Sequence, residues 1–330
     1  GESVNGEFQS ADIYPYNIES DSYTLVSKNE SGNRANGISN NPSISHDGRF
    51  VFYESTSSEI AGGELGVRKL IRYDISQNSN TLLTVREPNQ NQVQYLAKAS
   101  LTGMYACISE PLRDQDELIT DLAIFEVETN SIVKYFGYGQ CSEFYKSDYH
   151  ILYAGSLSVA LQTYTSDIYS YDIANDLHTK INHDESMESN WDAHYYQAPS
   201  ASLDGSYVVY QVAEKESSGS IGDSRLYYYE EDSGSYVAAI NSSGEIIETP
   251  SNIQPKISLD GKILTFKARG ARVVAGYSDQ EVVGFIYDIP TGEILDLNPS
   301  GSGDVGFIDL DDEGVTIAFT QEGQLYLRIL

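Results

Sequence analysis

One phrase of alternating polar and apolar residues recurs along the chain. It is clearest at Pro42-Ser43-Ile44-Ser45-His46-Asp47-Gly48-Arg49-Phe50-Val51-Phe52. It returns as Pro199-Ser200-Ala201-Ser202-Leu203-Asp204-Gly205-Ser206-Tyr207-Val208-Val209 and as Pro255-Lys256-Ile257-Ser258-Leu259-Asp260-Gly261-Lys262-Ile263-Leu264. Strand residues, a two-residue Asp-Gly turn whose glycine accepts positive φ, and a run of β-branched and aromatic residues together predict a β-hairpin. Weaker copies pass through Ser100-Leu101-Thr102-Gly103, Lys146-Ser147-Asp148-Tyr149 and Asp311-Asp312-Glu313-Gly314.

A second pattern follows each hairpin: an aromatic, then an acidic residue, usually then an aliphatic. Tyr73-Asp74-Ile75, Phe125-Glu126-Val127, Tyr171-Asp172-Ile173, Tyr229-Glu230-Glu231 and Tyr287-Asp288-Ile289 are read as third strands. Outer strands are expected from Thr81 to Val85, Ile132 to Phe136, His178 to Ile181, Tyr236 to Ile240 and Ile294 to Leu297. With Gly48, Gly103, Tyr149, Gly205, Gly261 and Gly314 as register marks, the gaps are 55, 46, 56, 56 and 53. The pattern predicts an all-β, six-bladed β-propeller over residues 1–330 as one domain, with four antiparallel strands per blade. The C-terminal segment supplies three strands of the last blade, and Tyr23 to Ser27 is expected to close it as an N-terminal outer strand.

The repeat resembles the TolB-like β-propeller family, most closely at Gly37 to Ser43 and Ser45-His46-Asp47-Gly48-Arg49-Phe50-Val51-Phe52-Tyr53-Glu54-Ser55. Thr102-Gly103 and Asp148-Tyr149 depart from its Asp-Gly turn. The resemblance implies an exported bacterial protein, periplasmic or extracellular, from a group consisting mostly of protein-interaction modules. Some relatives are fused to peptidases or attached to polysaccharide-acting enzymes.

Composition narrows the partners. The 49 acidic and 20 basic residues give a net charge of −29, a field that repels phosphate backbones, so nucleic acid is not an expected partner. Such a surface suits a high-salt or calcium-containing medium, and it also serves plain solubility. No apolar run approaches the ~18–20 residues of a membrane-spanning helix, so no membrane insertion is expected, and a monomer is expected. The N-terminal residues lack the basic and apolar parts of a signal peptide. Cys107 and Cys141 fall in apolar strand-like stretches, where buried free thiols are expected ahead of the alternative, a disulfide between them. The 26 tyrosines could suggest a ligand platform, but many fall at third-strand positions where packing accounts for them.

Candidate chemistry lies in the connections from second to third strands, which are long at Glu54 to Lys69, Glu110 to Asp121, Gly155 to Asp167, Ala213 to Asp223 and Lys267 to Gly284. On the same face, Asn182 to Pro199 holds His183, Asp184, Glu185, Trp191, Asp192, His194, Tyr195 and Tyr196. Two imidazoles among carboxylates could hold a divalent metal. Alternatively, His183 or His194 with Tyr195 could act as base and acid in a β-elimination on a uronate polymer, Arg269 or Arg272 neutralising the substrate carboxylate. The competing reading is a solvated acidic loop held down by aromatic anchors.

Gly301-Ser302-Gly303-Asp304-Val305-Gly306 fits a phosphate-binding spacing but leads into a strand rather than a helix. Asp309 and Asp311 begin a loop that could hold calcium, weakly, because its twelfth position is Thr320 rather than a bidentate glutamate. No serine-hydrolase, zincin or nucleotide-hydrolase motif occurs. The leading expectation is a non-catalytic module binding a protein or carbohydrate through the long-loop face, at Trp191, Asp192, Tyr195, Tyr196, Arg269 and Arg272. A lyase-type enzyme and a spacer within a large surface protein are the alternatives.

Overall fold

A computed structural model describes the chain except residues 1–10, 63, 84–95, 115–116, 158–166, 183–193, 216–220, 241–242, 250–252, 275–276, 278–280, 298–303, 311–315 and 323. Two compact units make up the chain: Gly1–Phe144 with Leu157–Val159, and Tyr145–Ser156 with Ala160–Leu330.

In the first unit, β1 (Tyr16–Asn17) and β2 (Ser22–Tyr23) form a small hairpin. Strands β3 (Ser39–Ile44), β4 (Phe50–Ser55), β5 (Lys69–Asp74) and β6 (Ser79–Leu82) pair in chain order as an antiparallel meander. The next meander holds β7 (Leu96–Ala99), β8 (Tyr105–Asp114), β9 (Glu117–Glu126) and β10 (Ser131–Phe144). In the second unit, β11 (His150–Ser156), β12 (Asp167–Asp172) and β13 (Leu177–Lys180) pair in order. They are followed by β14 (His194–Ala201), β15 (Tyr207–Lys215), β16 (Ile221–Glu230) and β17 (Ser235–Ala238), with β18 (Glu248–Thr249) also on β16. Strands β19 (Lys256–Ile257), β20 (Ile263–Arg269), β21 (Val282–Asp288) and β22 (Glu293–Asp296) form another meander, with the helical turn α1 (Gly270–Val273) after β20. Last come β23 (Val305–Leu310), β24 (Thr316–Gln321) and β25 (Gln324–Ile329).

The repeated phrase is a turn that fastens neighbours. In each copy the serine hydroxyl bonds the aspartate (Ser45 Oγ to Asp47, 2.5 Å; Ser202 to Asp204, 2.8 Å; Ser258 to Asp260, 2.7 Å). The same oxygen accepts the N–H five residues on, at Phe50, Tyr207 and Ile263. One turn then bonds the next through the backbone: Asp47 N–H to Leu101 O at 3.2 Å, and Leu203 N–H to Leu259 O at 2.9 Å. An earlier serine of the phrase repeats the link, Ser43 Oγ accepting Ala99 N–H at 3.1 Å and Ser200 Oγ accepting Ile257 N–H at 3.3 Å.

The aromatic-acidic pairs are third-strand ends, as the pattern predicts, and packing accounts for their tyrosines. Asp74 accepts the N–H groups of Ser76 and Gln77, and Asp172 those of Ala174 and Asn175, which closes the turn into the outer strand. The buried Tyr73 and Tyr171 reach Asn78 and Asp176, the positive-φ residues of those turns. Burial, first of all, pushes the phenols of Tyr53, Tyr153 and Tyr171 up, so they serve as protonated donors.

Several expectations are corrected. Cys107 and Cys141 are not free thiols but a buried disulfide, their Cα atoms 6.1 Å apart. The pairing arises because β10 continues far past the outer strand expected at Ile132 to Phe136 and returns beside β8, where Cys141 N–H bonds Ser109 Oγ. Tyr23 pairs with Tyr16 in the β1–β2 hairpin. Among the described residues β25 has only β24 beside it, and it exposes Leu325, Leu327 and Ile329.

Candidate functional site

In the three sheets that carry the Ser-x-Asp-Gly turn, the connection between second and third strands lies at the opposite end of the sheet. The first is built around a buried ammonium. Lys69 Nζ donates to the carbonyls of Ser57 and Gly62, the latter at 2.6 Å, so the loop folds over it, and burial lowers its pKa. Beside it the buried carboxylate of Glu54 pairs with Arg68 at 2.8 Å and accepts Asn41 Nδ2 at 3.1 Å, the partners a charge needs once removed from water. Sequence reasoning did not single out Lys69 or Glu54. The available signal was a carboxylate inside the otherwise apolar run of β4.

Two of the expected loops are extended hairpins. Pairing of β8 with β9 runs out to Asp114 opposite Glu117, across the region read as a loop from Glu110 to Asp121. Likewise β15 and β16 stay paired to Lys215 opposite Ile221. Of the connection expected from Lys267 to Gly284, Lys267 and Arg269 lie in β20, and Arg272 lies in α1. Lys267 Nζ donates to Gly306 O at 2.6 Å, and burial lowers its pKa. Arg269 is half-buried.

His183, Trp191 and Asp192 lie outside the described residues. His194, Tyr195 and Tyr196, expected in a loop, begin strand β14, in register with Glu214, Ala213 and Val212. Asp309 lies in β23, exposed and accepting Leu310 N–H at 3.1 Å, whereas Asp311 lies outside the described residues. Among the described residues no group of three or more His, Cys, Asp or Glu is placed to hold a metal ion.

Two other histidines serve packing. His178 Nδ1 hydrogen-bonds Tyr153 OH at 2.9 Å, and the ring stacks on Tyr171. His150 Nδ1 meets Ser147 Oγ at 3.0 Å in the turn that lacks Asp-Gly, and its Nε2 lies 3.7 Å from Asp172. Asp172 is held below the usual carboxylate range, chiefly by the Asn175 side chain.

No protein-family model and no curated protein matches the sequence. Solved structures do. The chain is similar to an oligogalacturonate lyase from Vibrio parahaemolyticus (14% identity, TM-score 0.61, 96% of this chain and 82% of that one). It is similar to the β-propeller domain of the Trilobed protease from Pyrococcus furiosus (13% identity, TM-score 0.57, 90% and 82%). A protein assigned as TolB from Agrobacterium tumefaciens also matches (17% identity, TM-score 0.50, 97% and 98%). At such identities the likeness concerns fold, and the fold is that of the β-propellers. Among the described residues no helix is long and apolar enough to cross a membrane.

Proposed function

We propose that the chain is a six-bladed propeller module of an exported bacterial protein that binds a protein or a glycan, without catalysis, through the long-loop face, made of the second-to-third connections and the 182–199 segment. The observation that supports binding there most is the pair of extended hairpins, β8–β9 and β15–β16. Their ladders run out to Asp114–Glu117 and Lys215–Ile221, and strands already paired by backbone hydrogen bonds lose less entropy on binding than open loops. The Cys107–Cys141 disulfide favours export, since such cross-links persist where thiols are kept oxidised. The exposed apolar residues of β25 favour closure of the last blade by an N-terminal strand. The test is capture of glycans from an array, or of proteins from an extract, by the immobilised chain and by its Trp191→Ala variant. Loss of the captured ligand in the variant supports the reading; capture that the substitution leaves unchanged overturns this site.

The likeness to an oligogalacturonate lyase favours a second reading, β-elimination on uronate oligomers. His183, His194 and Tyr195 would then take the proton beside the carboxyl group and return one to the leaving oxygen, with Arg269 or Arg272 on the carboxylate. New ultraviolet absorbance from unsaturated ends on incubation with oligogalacturonate tests it, and a flat trace rejects it.

A further inference from the structure

The β1–β2 hairpin sorts its side chains into two sets. Val26 N–H bonds Ile13 O at 3.0 Å and Thr24 N–H bonds Pro15 O at 3.1 Å, continuing the Tyr16–Tyr23 pairing. Ile13 and Val26 therefore fall on one face, buried against Tyr53, Ile71 and Tyr73. Tyr14, Tyr16 and Tyr23 fall on the other, 39%, 47% and 73% exposed. A solvent-facing strand surface ordinarily carries polar residues, and this one carries three aromatic rings.

Hydrogen bonds fix two of those rings by their phenol ends. Tyr14 OH accepts Arg34 Nε at 3.2 Å and Nη2 at 3.1 Å, and Arg34 in turn pairs with Asp12 at 3.0 Å. Asp12 is anchored by the buried Ser27 hydroxyl at 3.1 Å. Tyr16 OH donates to Asp21. Tyr14 and Tyr23 meet edge to face, with centroids 5.7 Å apart. The ring surfaces are thus held in place and left bare, which suits a ligand because little side-chain freedom is lost when it docks.

Size and charge select the ligand. At roughly 150–250 Å² per ring, the exposed fractions leave on the order of 300 Å², far short of the ~800 Å² per partner of a stable protein interface. A second copy of the chain or another folded protein would need much more surface. Two or three sugar units match the area, their C–H faces lying on the rings while their hydroxyls meet the Asp21 carboxylate and the Arg34 guanidinium that hold the phenol ends. The net charge of −29 disfavours an anionic polymer. We infer that this hairpin is a binding site for a neutral oligosaccharide, additional to the long-loop face proposed above.

The test is calorimetric and NMR titration of the full chain with cellohexaose, xylohexaose, mannohexaose, maltohexaose and chitohexaose, with hexagalacturonate as the anionic control. At least one neutral hexamer is expected to bind. Tyr23→Ala should weaken it at least tenfold with an unchanged melting temperature, Tyr23→Trp should retain it, and Arg34→Met, which frees Tyr14, should weaken it severalfold. The site is overturned if none of the neutral hexamers binds, if hexagalacturonate binds more tightly than all of them, or if binding survives Tyr23→Ala and Tyr14→Ala together. Trp191→Ala should leave binding at the hairpin unchanged, which separates this site from the connection face.

Discussion

Gly261 leaves the space that the ring of Tyr207 occupies: a Cβ on the glycine would stand 2.5 Å from ring Cδ2. Tyr207 follows the turn of the preceding blade by two residues, so one turn is seated on the aromatic that leaves the previous one. Gly103 repeats the arrangement, where a Cβ would stand 2.4 Å from Phe50 Cδ2. Gly48 has the same backbone conformation, φ +69°, with nothing within 4 Å of a Cβ. Gly48→Ala should therefore cost only the backbone penalty, about 1 kcal/mol, and Gly261→Ala about 2–4 kcal/mol in all, because the ring must also move. Urea unfolding of both variants measures the difference, and equal losses would show that the ring contact carries no weight.

Gln211 is fully buried and spends both ends of its amide, Nε2 donating to Ser224 Oγ and Oε1 accepting Ile253 N–H, each at 2.9 Å. Gln211→Leu keeps the volume and strands the Ile253 N–H, and a loss of about 1–3 kcal/mol is expected. Amide exchange at Ile253 should accelerate by a matching factor. Unchanged exchange would mean that another group or a water takes over the bond.

The Cys107–Cys141 cross-link closes a sequence separation of 34 residues, for which the chain-entropy relation gives about 3–4 kcal/mol. Cys107→Ser with Cys141→Ser, or prolonged reduction under mild denaturant, should lower the unfolding midpoint accordingly. Alkylation of the unfolded, unreduced protein followed by mass spectrometry should find no labelled thiol. Two labelled cysteines would refute the cross-link.

Acid should weaken the blades through their turn carboxylates. Burial by itself would raise Asp74, but hydrogen bonds from Ser76, Arg49 and Gln77 N–H outweigh it and hold the group at about 2. Asp172 and Asp204 are also lowered, chiefly by the side chains of Asn175 and Ser206. An unfolded aspartate titrates near ~3.9, so these groups stabilise the fold fully above that pH, and the contribution is lost as pH falls toward about 2. The urea midpoint at constant high salt should drop across that window, and less steeply in Asp74→Asn. A parallel drop in both proteins would remove Asp74 as a cause.

The features legible in the sequence are the ones set locally. Ser45, Asp47 and Gly48 build one turn from neighbouring residues, and Tyr73 with Asp74 closes another within five residues, so each leaves a short repeating phrase. The extended hairpins were not legible, because polar residues such as Arg113, Asp114 and Glu117 interrupt the apolar alternation although their backbones keep the ladder. Nor was the disulfide, since nothing near Cys107 or Cys141 encodes the return of β10 to β8. Within the candidate site, the His194–Tyr196 stretch stood out by its side-chain types, but its place in a strand follows from pairing with residues 212–214, which lie well along the chain.

Ser109, Gln211 and Lys267 occupy equivalent places in the second strands of their blades, and each bonds backbone further along the chain, at Cys141, Ile253 and Gly306. One task is met by a hydroxyl, an amide and an ammonium on stems of different length. Such a position asks for reach rather than for one side-chain type, so its occupant is matched to the distance that the neighbouring backbone leaves. The link between neighbouring stretches is therefore set by a place in the strand and not by the residue type that fills it.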